Sequence, residues 1–234
     1  TEARIEDMAD FYVREVRIKQ PRGPYLLGGL CAGGVIAYEM ALQLLYSGEN
    51  VELVALLDAA TPQALKRRQQ LFGRLKQALA KARNSESSAI GQASSVVAIV
   101  SLKLVSAINR HGERWWARAR FHLLHQLLAR QRRWPRYIPR LSPLQLYECA
   151  AARYVPKALC GASVVLVRAR HQTPILNDTP FRAIYADETF GWGAITQDLA
   201  FVDVAGGHMT MLQKPFVQSL AAALRLRINH KTVR

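Results

Sequence analysis

Cysteine is scarce in this 234-residue chain: Cys31, Cys149 and Cys160 are the full set, and three cannot all pair with one another. Free thiols in a reducing, cytoplasmic setting are the simplest account. No apolar run reaches the roughly 18 to 20 residues that cross a bilayer. No basic-then-apolar leader opens the chain, so neither export nor membrane association is expected. Cys and His never stand at ligand spacing, which argues against a metal site. Zinc, RNP and helix-turn-helix signatures are missing too, which argues against nucleic acid. Acidic residues are short in one place. Between residues 62 and 140 there are 17 Lys or Arg against Glu86 and Glu113 alone, while the remainder holds 15 basic and 15 acidic residues. The whole net charge of +15 thus belongs to one internal segment. Such a segment is a solvated helical surface, a dock for an acidic partner, or a nucleic-acid or membrane patch.

What is present is enough for one substantial core. Half the residues are hydrophobic, and the pattern is most simply one α/β domain interrupted by an insertion: core at 1–61, helical insertion at 62–142, core again at 143–234. The organising stretch is Tyr25 to Glu39. A short apolar strand, Tyr25 to Leu27, leads into Gly28-Gly29-Leu30-Cys31-Ala32-Gly33-Gly34, with a helix opening at about Gly33. This G-x-C-x-G pattern has the form of a nucleophile elbow, a strand-to-helix turn whose central residue takes strained backbone angles. Gly29 and Gly33 are expected where strand and helix nearly touch, with Gly28 and Gly34 easing the packing further. The turn would hold Cys31 at a helix N-terminus, where the dipole favours negative charge and the backbone N–H of Ala32 can face an oxyanion.

Around the elbow, apolar residues at three- and four-residue steps predict an amphipathic helix over Glu2 to Gln20, broken by Pro21 to Pro24. The helix after Cys31 ends near Ser47-Gly48. Val51 to Leu57 reads as a buried parallel strand ending on Asp58, and catalytic groups in open α/β sheets collect just past strand C-termini. Within the insertion, helices are expected over Leu65 to Ala82, Val96 to Ile108 and Trp115 to Leu128, with Trp115, Trp116 and Phe121 packing inside it. A helix over Pro143 to Tyr154, strands over Ser163 to Val167 and Ala200 to Val204, and a closing helix over Pro215 to Ile228 complete the chain. Strand 200–204 runs into Ala205-Gly206-Gly207-His208, which places His208 on a glycine-flanked loop past a strand end. The other five histidines lack such a setting, and His208 is the candidate base.

Cys31, Asp58 and His208 supply what acyl transfer needs: a nucleophile, a carboxylate that fixes the imidazole tautomer, and a base that takes and returns a proton. In Gln20 to Gly29, Gly33 to Ala41, Leu56-Leu57-Asp58 and Gly206 to Leu212 the sequence resembles the type I thioesterase domains that end nonribosomal peptide synthetases and polyketide synthases. These have the α/β-hydrolase fold. The resemblance covers nearly the whole chain and is weakest through 62–142, where the family carries a variable helical lid. It implies a mostly parallel sheet flanked by helices, and an acid after the strand that precedes Asp58, in preference to Asp178 or Asp187. It also implies a substrate arriving as a thioester on the phosphopantetheine of an acidic carrier protein, with no cofactor bound by the domain itself.

Two departures from the family accompany the likeness. Ser usually stands where Cys31 does. Family members also carry further strands ahead of the first helix here, with a loop that gives a second oxyanion N–H. The expected function is chain release through a Cys31 acyl-enzyme, by cyclisation to lactone or lactam or by hydrolysis. A stand-alone editing thioesterase and a Cys-dependent acyltransferase are the enzyme alternatives. An inactive hydrolase-fold scaffold binding an acidic partner is the non-enzyme one.

Overall fold

In a computed structural model, the protein is described at residues 4–66, 112–170 except 114, 125, 128, 131, 132 and 134, then 178–185 and 187–229. The described residues fall into two compact units, one holding 4–66 with 150–229, the other holding those of 112–149. The expected helices over 65–82 and 96–108 lie outside the described residues, apart from a short helix at Pro62–Lys66.

The larger unit is built on four parallel strands in the order β1-β2-β3-β4: Tyr25–Leu30, Val51–Leu57, Ser163–Ala169 and Leu199–Val204. β1 runs three residues past the expected Leu27, because Gly28, Gly29 and Leu30 pair in register with Ala55, Leu56 and Leu57. Strands buried on both faces read as continuous apolar runs. Along β2 and β3, alternate side chains serve opposite faces. Leu53, Ala55, Val165 and Val167 pack with Met211 and Leu220, the latter on the closing helix Val217–Asn229. Val54, Leu56, Val164 and Leu166 are just as buried on the other face.

Helix α1, Ile5–Lys19, buries Ile5, Ala9 and Val13 at the spacing of one helical face. It packs on α2, Ala32–Tyr46, where Gln43 donates to the Glu6 carbonyl at 2.9 Å. α2 is buried almost all round, as an apolar helix without a polar stripe must be. It closes at Ser47 with Gly48 at φ 81°, the left-handed turn foreseen for Ser47-Gly48. One charged residue of α2 is buried, Glu39, and it accepts the Tyr154 hydroxyl at 2.7 Å. Burial raises the Glu39 pKa, partly offset by that bond and by Gln43.

In the second unit, residues 115–124 are helical; Pro143–Ala151, whose last two residues belong to the larger unit, forms a helix shorter than the expected 143–154. Phe121 is buried as expected. Trp115 and Trp116 are not: they stand 63% and 61% exposed, edge-to-face on each other. Their apolar character suggested packing, but adjacent helical positions differ by about 100°, so Phe121's burial does not bring them inside.

Candidate active site

The site is assembled at the C-terminal ends of the strands. Between β1 and α2 a single residue, Cys31, turns the chain at φ 52° and ψ −115°. A non-glycine residue there is strained, and the surroundings must hold it. They do so through the backbone: Cys31 N–H donates to the Leu57 carbonyl at 3.0 Å, and Gly34 N–H donates to the Cys31 carbonyl at 3.1 Å. The helix begins at Ala32, one residue earlier than expected. As its first residue, Ala32 has an N–H with no acceptor inside the helix.

The close approach at the elbow differs in one respect from expectation. A Cβ on Gly29 would lie 2.2 Å from the Gly33 carbonyl carbon, and one on Gly34 would lie 2.5 Å from Ala59 Cβ and 2.9 Å from the Gly29 oxygen. A Cβ on Gly33 would meet nothing within 4 Å. Strand and helix therefore touch through Gly29 and Gly34, with Gly33 contributing backbone only. Gly34→Ala is expected to cost at least about 2 kcal/mol, since backbone and a buried Ala59 must shift. Gly33→Ala is expected to be neutral or stabilising by up to about 1 kcal/mol, as for Gly in a helix. Urea midpoints of the two variants check the contrast.

Asp58 follows β2 directly, fully buried, with φ 40°. Its backbone N–H donates to the Val167 carbonyl at 2.7 Å, tying it to β3. One carboxylate oxygen accepts the Ala169 N–H at 3.4 Å, and the other accepts the Phe181 N–H at 3.0 Å and His208 Nδ1 at 2.7 Å. Asp58 does not cap the helix after Pro62; Thr61 does, its hydroxyl accepting the Ala64 N–H at 3.2 Å. Downstream, Trp192 Nε1 donates to the Ala59 carbonyl at 2.8 Å and fixes the segment after Asp58.

His208 lies on the loop after β4. The strand end is anchored by Asp203, which takes Arg168 Nε at 2.7 Å and Arg182 at 2.9 Å. Burial acts to raise the Asp203 pKa, but Arg168 and Arg182 outweigh it and hold the carboxyl below its usual range. His208 is buried with its Nδ1 engaged by Asp58, and Cys31 lies near enough to act on the ring electrostatically. Burial alone would lower the His208 pKa. The bonds to Asp58 and Cys31 and the charges of those groups overcome it, and the imidazole is held up at about 9. Asp58 and Cys31 thus both act on one imidazole.

The two other carboxylates considered for the acid are engaged elsewhere. Asp187 accepts Thr189 N–H at 2.9 Å and Gly191 N–H at 2.8 Å. Asp178, 1% exposed, bonds residues 209 and 210 just past the histidine. Phe181, which the sequence did not single out, stacks on the His208 ring with centroids 4.5 Å apart and planes 17° apart. Among the described residues no group of three His, Cys, Asp or Glu is arranged to hold a metal, and no helix is long and apolar enough to cross a membrane.

A parallel sheet carrying an elbow, a buried strand-end carboxylate and a late loop histidine defines an α/β-hydrolase. Residues 1–224 match the thioesterase domain family, and the chain belongs to it. It is similar in structure to the NocB thioesterase domain solved as a covalent complex with a fluorophosphonate nocardicin G analog: TM-score 0.52, 25% identity, covering 97% of this chain and 76% of that one. In sequence it is 49% identical over 61 residues to the non-reducing polyketide synthase Preu8 of Preussia isomera, and 48% over 58 residues to the non-reducing polyketide synthase terA of Aspergillus terreus. These stretches are 26% and 25% of this chain and 3% of each relative, so the chain spans a small part of the synthases it matches.

Proposed function

We propose that the chain is the chain-releasing thioesterase domain of a multidomain synthase, acting on an acyl group held as a thioester on the phosphopantetheine of a carrier protein. The observation that carries this reading is the 2.7 Å bond between His208 Nδ1 and the buried Asp58, with Cys31, on its strained turn, also acting on the ring. In the first step Cys31 Sγ attacks the thioester carbonyl, and the Ala32 N–H supports the oxyanion. The carbon–sulfur bond to pantetheine then breaks, and His208 gives its proton to the departing thiolate. In the second step His208 takes a proton from water or from a hydroxyl or amine of the bound chain. That oxygen or nitrogen attacks, and the bond to Cys31 breaks.

The raised pKa of His208 suits a cysteine nucleophile, since an imidazolium is the electrostatic partner that a thiolate needs. Passing an acyl group from one thiol to another is nearly isoenergetic, so the acyl-enzyme stays activated. This favours cyclising release, to lactone or lactam, over hydrolysis. The likeness to polyketide synthases favours a polyketide acyl chain. The acidic carrier makes the basic segment 62–142, read as a helical lid, the natural surface for it to meet.

Intact-protein mass spectrometry with the butyryl thioester of N-acetylcysteamine tests the proposal. One acyl mass gain, mapped to Cys31 and decaying with product release, is the expected result. Acylation at another residue, or none from this thioester or from an acylated carrier protein, overturns it.

A further inference from the structure

We propose that Asp178 and Phe181 form a two-point clamp that positions the His208 imidazole, Asp178 by fixing its loop and Phe181 by fixing its ring. The inference rests on the reading of His208 as the base. His208 sits on a loop whose preceding residues, Gly206 at φ 98° and Gly207, lend it no stiffness. Something else must fix the ring, because a misplaced base loses its effect within about an ångström.

Asp178 supplies the first point. Its buried carboxylate accepts the Met209 N–H, the Thr210 N–H at 3.2 Å and the Thr210 hydroxyl at 2.6 Å. The same hydroxyl oxygen accepts the Gly207 N–H at 2.8 Å, so residues on both sides of His208 hang from one carboxylate. The fit is close enough that a Cβ on Gly207 would lie 2.2 Å from Asp178 Oδ2, which accounts for the glycine before the histidine. Three such bonds to one buried carboxyl group hold the loop firmly.

Phe181 supplies the second point, and it acts twice. Its ring covers one face of the imidazole, and its N–H donates to the Asp58 oxygen that also takes His208 Nδ1. The ring is itself held by edge contacts with Tyr185 at 5.3 Å and Phe190 at 6.2 Å. Asp58 and Cys31 are the titratable groups acting on the imidazole, and Asp178 bonds its loop. A stacked aromatic face adds cation–π support to the protonated ring. A residue that merely filled space would leave the titration of His208 where it was.

The test compares the intact chain with Asp178→Asn, Phe181→Leu and Phe181→Tyr. NMR follows the His208 titration, with the signal assigned by its loss in His208→Gln. Cleavage of butyryl-N-acetylcysteamine is followed alongside. Phe181→Leu is expected to lower the His208 titration by about 0.5 to 1 pH unit and kcat by roughly tenfold, while Phe181→Tyr, which keeps the stack, stays near the parent. Asp178→Asn is expected to lower kcat by about 100-fold with KM little changed. Should it unfold, Thr210→Val probes the same link, with a roughly tenfold fall in kcat that Thr210→Ser restores. The Phe181 point is overturned if Leu leaves the titration unmoved or if Tyr shifts it as far as Leu does. The Asp178 point is overturned if a folded Asp178→Asn or Thr210→Val keeps kcat within about twofold of the parent. A parent chain without turnover would sink the thioesterase reading, yet the titrations would still decide the clamp: Phe181 as above, and Asp178 by whether Asp178→Asn moves the His208 signal.

Discussion

Cys31→Ala is expected to abolish acyl-enzyme formation and lower kcat/KM by at least about 10⁴-fold, the scale on which hydrolases depend on their nucleophile. Steady-state cleavage of the butyryl thioester and the intact mass read the two effects separately. Cys31→Ser makes the sharper comparison. An oxygen ester lies below a thioester in energy, so the serine variant should still acylate but release slowly, and its mass should show a persistent adduct where the parent's decays. Cys31→Gly tests the elbow apart from the chemistry. Cys31 holds φ 52° and ψ −115° against the preference of any side chain. Glycine relieves that strain, and a gain of about 1 kcal/mol in urea unfolding is expected alongside complete loss of acylation. A residue that costs stability and is removed at no cost to folding is placed there for its reactivity. If instead Cys31→Ala cleaves the thioester at the parent's rate, the elbow is an ordinary βα turn.

The parts of the site legible in the sequence are those whose chemistry and backbone geometry are written locally. Cys31 stands between glycines, Asp58 ends an apolar run of strand length, and His208 follows a strand on a pair of glycines; each pattern names both a residue and a place in the fold. That the three side chains meet is a tertiary fact, which their order along the chain made reasonable through the family resemblance. What the sequence did not disclose belongs to contacts between segments far apart in the chain. Phe181 lies in a stretch of mixed character, 27 residues before His208, and nothing local says that its ring lies on an imidazole. Asp178 stood out only as a possible acid, because a carboxylate in a loop looks alike whether it meets a ring nitrogen or two backbone N–H groups. The exchange of Gly33 for Gly34 at the close approach has the same origin. Both lie near the start of α2, and which of them faces β1 and Ala59 depends on how the helix leaves the turn.

Asp58→Asn is expected to lower kcat/KM by between about 10² and 10⁴-fold, the range that general acid–base catalysis contributes. The carboxylate is fully buried and accepts two backbone N–H groups as well as His208. The amide keeps the shape but weakens the hydrogen bond and removes the charge by which Asp58 helps to hold the His208 pKa up at about 9. Stability should change with pH in a way that identifies the pair. A histidine raised from 6.5 to about 9 on folding binds its proton more tightly in the folded state. Its contribution is therefore present in full below pH 6.5 and disappears as pH rises through about 9. A shift of that size corresponds to a fall on the order of 3 kcal/mol across the window. In Asp58→Asn the part of this slope that Asp58 supplies should vanish, while the part due to Cys31 remains. The variant would then be less stable than the parent at pH 6 and closer to it at pH 9.5, as urea unfolding at the two pH values would read. A difference that does not depend on pH would mean that Asp58 serves the fold through Ala169 and Phe181 alone. It would also leave His208 without the carboxylate that the acyl-transfer mechanism requires.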